Sequence, residues 1–128
     1  MVEFFDKVKE SIDKGVNVVG VRSKEALESA KLNAVIGSLS GKKKDALEEL
    51  GSIVYTASQH NQTAMTEEGN AKLGEIADLD AQISAKQAEL KKVHLDAKIQ
   101  LGIPLCGGCN EVVDEDDAFC HKCGKKVE

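Results

Sequence analysis

From Leu32 the apolar positions recur as Leu32, Ile36 and Leu39, then Ala46, Leu50, Ile53 and Ala57. Steps of three and four held in one phase are the stripe of a helix packed in a coiled-coil seam. Lys43 occupies the one place where the stripe lapses, and the phase resumes beyond it. Gly37, Gly41 and Gly51 each weaken a helix by about 1 kcal/mol relative to Ala. A break between Gly37 and Gly41 would reset the register, so the preserved phase favours one continuous helix. Ser23 can cap it, with Glu25 in its first turn, which sets the expected helix at about residues 23–59. A second stripe runs Ile76, Leu79, Ile83, Leu90, Val93 and Ala97, again bridging a polar gap, at Lys86. Thr66 can cap this second helix, with Glu67 and Glu68 in its first turn. Gly102-Ile103-Pro104 ends it. Between the two lies the polar segment His60-Asn61-Gln62-Thr63. Two helices of about 35 residues, each ~50 Å long, joined by a short polar turn, predict an antiparallel coiled-coil hairpin. Two helices bury such stripes incompletely, so self-association is expected.

The opening of the chain has its own pattern. Met1, Phe5, Val8 and Ile12 share a helical face, with Phe4 beside it. Gly15-Val16-Asn17-Val18-Val19-Gly20-Val21 then lowers helix propensity. The expectation is a short amphipathic helix followed by a flexible joint. Its apolar face would dock on a protein partner or on a membrane. Glu3, Asp6, Glu10 and Asp13 balance Lys7, Lys9, Lys14 and Arg22, which weakens attraction to anionic lipid and favours the protein contact.

Composition narrows the function classes. Charged residues make up 30% of the chain and aromatics 3%, with one proline and no tryptophan. That profile suits long helices and is poor for a globular enzyme core. No apolar run approaches the length needed to span a bilayer. The acidic opening lacks the core of a signal peptide, so a cytoplasmic protein is expected. The formal net charge is −5. From Pro104 onward, Glu111, Asp114, Glu115, Asp116, Asp117 and Glu128 outnumber Lys122, Lys125 and Lys126. Nucleic-acid binding needs a basic surface with stacking aromatics, and this surface has the opposite sign.

The four cysteines carry the chemistry. Cys106 and Cys109 form one CxxC pair, and Cys120 and Cys123 form another after ten intervening residues. Two such turns supply the four thiolates of a tetrahedral structural zinc at Zn–S distances of ~2.3 Å. Disulfides would require an oxidising compartment. A redox CxxC would open a helix in a thioredoxin-like fold. A catalytic zinc would keep an open position for water, and four cysteines close the shell. Asn110 and Gly124, each just after the second cysteine of a pair, suit the left-handed backbone that such a knuckle needs. Val112, Val113 and Phe119 are the candidate core of the module, too small to fold without metal. His121 lies between two ligands and is expected to face solvent, as are His60 and His94.

The stretch from Cys106 to Gly124 resembles the short zinc-ribbon module of many bacterial and archaeal proteins, with pattern CPxCG, a Val-Pro-Asp-Ala turn, then FCPxCG. The cysteine spacing, Val113, Phe119 and Gly124 match. Gly107, Asp114 and His121 stand where the pattern has proline, and Asn110 replaces the first glycine. Phe4-Phe5-Asp6-Lys7-Val8-Lys9, Lys31-Leu32-Asn33 and Leu50-Gly51-Ser52-Ile53-Val54-Tyr55 extend the likeness. The chain resembles bacterial coiled-coil proteins with a C-terminal short zinc ribbon, a likeness that implies fold and metal and carries over no activity. The layout of the opening is also similar to that of phage-shock-type membrane-remodelling proteins.

The expected architecture is therefore mainly α: an amphipathic helix and joint over residues 1–22, a helical hairpin over 23–102 and a zinc ribbon with a β-hairpin over 103–128. No nucleophile–base pair, carboxylate dyad or phosphate loop is present. The expected function is a non-catalytic scaffold or adaptor. It would bind a protein partner or itself through the coiled coil and zinc ribbon, as part of a larger assembly. The alternative is a membrane-associated scaffold held by Met1, Phe4, Phe5, Val8 and Ile12.

Overall fold

The computed structural model describes residues 2–62 and 64–127. Two α-helices, α1 (Val2–Gln59) and α2 (Glu67–Gln100), make the protein mainly helical. Contacts divide the chain into two compact units. One comprises Met1–Ser29 with Lys91–Glu128, and the other is Ala30–Leu90.

In the unit Ala30–Leu90 the two stripes meet. Leu39 and Ala46 of α1 are buried against Ile76 and Leu79 of α2, with Leu50 and Ile83 packed on them. The helices run antiparallel: Lys43 pairs with Asp80 at 2.6 Å, and Lys72 with Glu49 further along α1. Lys43 and Lys86, at the polar gaps of the sequence pattern, are half-buried. Lys43 reaches across to Asp80, whereas Lys86 pairs within α2, with Glu89 at 3.2 Å. Lys72 bridges Glu49 and Glu75, and both carboxylates raise its pKa to about 12.

The turn between the helices is built from capping bonds. Asn61 adopts a left-handed φ of 55°. The N–H of Asn61 donates to the Ser58 carbonyl and that of Gln62 to Ala57, the bond pair of a Schellman ending. Thr66 caps α2 as expected, its Oγ1 accepting from the Gly69 N–H at 3.1 Å. At the other end of α2, Gly102 has φ 69°. Its N–H donates to Ile99 and that of Ile103 to Lys98, a second Schellman ending. Thr63, part of the expected interruption, lies outside the described residues.

In the unit of Met1–Ser29 and Lys91–Glu128, α1 differs from the sequence expectation. The separate short helix and flexible joint do not form. α1 runs unbroken through Gly15 to Val21, and Ser23 lies inside it rather than capping it. The physical reason is cooperativity. Starting a helix is costly, but extending one already anchored at Val21 and Glu25 costs only the small per-residue deficits of Gly and Val. Val21, Glu25 and Glu28 of α1 face Val93, Ala97 and Gln100 of α2. The Glu25 carboxylate instead accepts from side chains: from His94, Nδ1 to Oε1 at 2.8 Å, and from Arg22 at 3.1 Å. His94 thus has a carboxylate neighbour that its sequence surroundings did not reveal. The hydrogen bond from His94, with help from Arg22, holds the Glu25 carboxyl below its ordinary pKa.

Beyond α2 the chain folds into a small module. Among the described residues it has no strand, so the expected β-hairpin reduces to two isolated antiparallel bridges, Leu105 with Val112 and Phe119 with Lys126. The reason is local closure. Each bridge ties the two ends of one cysteine turn, and no ladder continues between the turns.

Candidate metal centre

The module repeats itself at an interval of fourteen residues, and this repeat builds the site. The Cys106 N–H donates to the Glu111 carbonyl, and the Cys120 N–H to that of Lys125, both at 2.8 Å. The Asn110 N–H donates to Cys106 and the Gly124 N–H to Cys120. The Val113 N–H reaches Pro104 and the Val127 N–H reaches Ala118. Asn110 at φ 58° and Gly124 at φ 75° take the left-handed backbone expected of them. Each turn therefore presents its two thiols in the same way, and the two turns face each other.

All four Sγ atoms lie within 4.8 Å of one another. Cys106 and Cys123 are 3.5 Å apart, and Cys109 and Cys120 3.6 Å. A tetrahedral ion with bonds of ~2.3 Å to sulfur requires sulfurs ~3.8 Å apart, so the donor set fits such an ion. The cysteines are free thiols rather than disulfides. The Gly108 N–H donates to the Cys106 sulfur, and the Lys122 N–H to the Cys120 sulfur, both at 3.4 Å. Such bonds stabilise thiolate over thiol. The N–H groups of Gly108 and Cys109 bring the Cys106 pKa down to about 6. Those of Cys123 and Lys122 lower that of Cys120. At Cys109 the Glu111 N–H also favours the thiolate, but burial and the three neighbouring sulfurs win and push the pKa up to about 12. Without a cation, four sulfurs this close cannot all ionise; a bound cation would remove that conflict.

The module's core differs from the one expected. Val113 is buried at 3% exposure between Cys106 and Cys120, with Val127 packed against them. Val112 is 38% exposed and Phe119 63%, because both sit on bridges at the rim. Val127 was legible as the fourteen-residue repeat of Val113, a signal the cysteine spacing alone does not use. Glu111 of the first turn and Lys122 of the second are joined at 2.8 Å, tying the repeats together outside the sulfur cluster. His121 is exposed and stands apart from the four sulfurs. Lys91, His94 and Lys98 of α2 border a shallow groove beside Cys109, Asn110 and Lys122.

The expected docking residues are not part of this cluster. Phe4, Phe5, Val8 and Ile12 are exposed on α1, with the Phe4 and Phe5 rings edge to face at 6.1 Å. Met1 lies outside the described residues. No described helix is long and apolar enough to cross a membrane. No protein-family model, curated protein or solved structure matches this chain.

Proposed function

We propose that this chain is a non-catalytic scaffold or adaptor of the cytoplasm, a helical arm carrying a structural zinc module that contacts protein. The observation that carries the reading is the closed donor set. Four cysteine sulfurs converge from two equivalent turns, and N–H···S bonds support one cysteine in each. Zinc bound there would cross-link the turns and leave no position for substrate or water. The resemblance to bacterial coiled-coil proteins with a short zinc ribbon agrees with this assignment. So does the acidic module, which disfavours nucleic acid.

Cobalt substitution tests it. One equivalent of Co2+ should give the intense sulfur-to-metal absorption and visible bands of a tetrahedral four-thiolate site, and Zn2+ should displace it. Elemental analysis should find one zinc per chain in protein purified without chelator. Added cyanide or azide should leave the cobalt spectrum unchanged. A spectrum that shifts with these ligands would reveal an open coordination position and overturn the non-catalytic reading. A second reading, attachment to a membrane surface, draws on the exposed Phe4, Phe5 and Ile12, and co-sedimentation with liposomes tests it.

A further inference from the structure

The first five turns of α1 carry an apolar face that nothing in the described structure covers. Phe4 and Phe5 are 68% and 67% exposed, Ile12 is 59% and Val19 is 66%. The face does not continue the seam with α2. Phe5, Val8, Ile12 and Val19 follow three-, four- and seven-residue steps. At 100° per residue this line lies roughly 160° around α1 from the line of Val21, Glu25 and Glu28 that meets α2. An extension of α2 would not bury it.

The charges around this face say what does. Phe5, Ile12 and Val19 hold one position of a heptad, and Val8 and Gly15 hold the other core position. Val2, Phe4, Val16 and Val18 widen the apolar face on both sides, with Lys9 the one charge on it. A face this broad is buried in a bundle of several helices rather than in a pair. Its two flanks carry opposite charge. Asp6 and Asp13 line one flank, and Lys7 and Lys14 the other. Glu10 lies at the back, paired with Lys14 at 2.8 Å. In a parallel bundle the acidic flank of each helix meets the basic flank of its neighbour. Antiparallel packing would set Asp6 and Asp13 against themselves. The alternation also argues against lipid, since a surface helix that binds anionic membranes is rich in Lys and Arg on its polar face.

We infer that residues 2–19 of α1 assemble in parallel with the same residues of further copies of this chain, Asp6 and Asp13 of one copy against Lys7 and Lys14 of the next. The inference rests on the scaffold reading and gives that scaffold its own copies as partners. The first turns of α1, poor in helix propensity around Gly15 and Val16, would be held helical by this burial.

The test uses the full metal-loaded chain in sedimentation velocity and native mass spectrometry from low to high micromolar concentration. The wild type should exceed the mass of one chain. Ile12→Asp should return it to a monomer with unchanged zinc content. Asp6→Lys with Asp13→Lys should weaken assembly by about tenfold per interface through like charge, and Lys7→Glu with Lys14→Glu should do the same. Mixing these two double variants should restore assembly, because each basic pair of flanks then meets an acidic pair. Heterologous protein or lipid would not produce that rescue. A wild type that stays monomeric at every concentration, whether or not it co-sediments with phosphatidylcholine–phosphatidylglycerol vesicles, overturns the inference. So does an assembly indifferent to Ile12→Asp, or double variants that fail to restore each other. The cobalt spectrum separates the two levels. A closed four-thiolate site in a monomeric chain defeats self-assembly alone, whereas a ligand-sensitive site defeats the scaffold reading.

Discussion

Removing metal from the four-cysteine centre should unfold the C-terminal module and leave both helices standing. The magnitudes follow from where the burial is. α1 and α2 comprise 58 and 34 residues, and none of the described residues beyond Gln100 is helical. The helical ellipticity near 222 nm should therefore hardly change. The seam of Leu39, Ala46, Ile76 and Leu79 contains no residue of the module. Among the described residues of the module, Val113 is the one buried side chain besides cysteines. Its burial contributes about 1.5–3 kcal/mol, against an apparent ~10–16 kcal/mol from a structural zinc site at neutral pH. Without metal, the clustered thiols lose their common partner, and one valine cannot hold the turns together. The assay is titration with chelator under reducing conditions, following metal release with a chromogenic indicator, helicity by circular dichroism and the methyl resonances of Val113 and Val127 by NMR. Both valines should move to random-coil positions as metal leaves, while ellipticity stays constant. Cys106→Ser should reproduce the metal-free state without chelator. Ellipticity falling in step with metal release, or a Val113 methyl still at its folded shift in metal-free protein, would refute the reasoning.

Three further outcomes are expected. Leu79→Ala removes three carbons from the seam at ~0.8 kcal/mol each. Because a two-helix seam is open to water at its edges, little cavity cost is added, so denaturant titration should show a loss of about 2 kcal/mol. Gly124→Ala forces a side chain onto a backbone at φ 75°, at a cost of about 1–2 kcal/mol. Zinc competition should find affinity about tenfold weaker, whereas Asn110→Gly, which puts the freer residue on a left-handed backbone, should not weaken it. His94 and Arg22 hold the Glu25 pKa below its ordinary value, so its contribution is present above the unfolded-state pKa and lost as pH falls through the lowered one. The stability advantage of the wild type over Glu25→Gln should vanish in acid, and an NMR titration should place the Glu25 midpoint below that of an exposed glutamate.

The cysteine pattern alone indicated which four sulfurs converge, since ligand type and spacing decide which could reach one ion. Local backbone preference was equally legible. Asn110, Gly124 and Gly102 took left-handed conformations because few other residues adopt them without strain. The seam stripes were readable because a helix has one fixed period, and it placed Leu39, Ala46, Ile76 and Leu79 on facing sides. What escaped the sequence was decided between elements. The weak helix formers from Gly15 to Val21 read as a joint because propensity is local, whereas extension of an anchored helix is cooperative. Glu25 and His94 meet across a separation of 69 residues, which only the antiparallel pairing brings together. Phe119 looked like core and lies at the rim, while Val127 was overlooked and packs inside. Hydrophobicity states that a side chain gains by burial, but only the closed geometry of the two cysteine turns determines which side chain fills the single space between them.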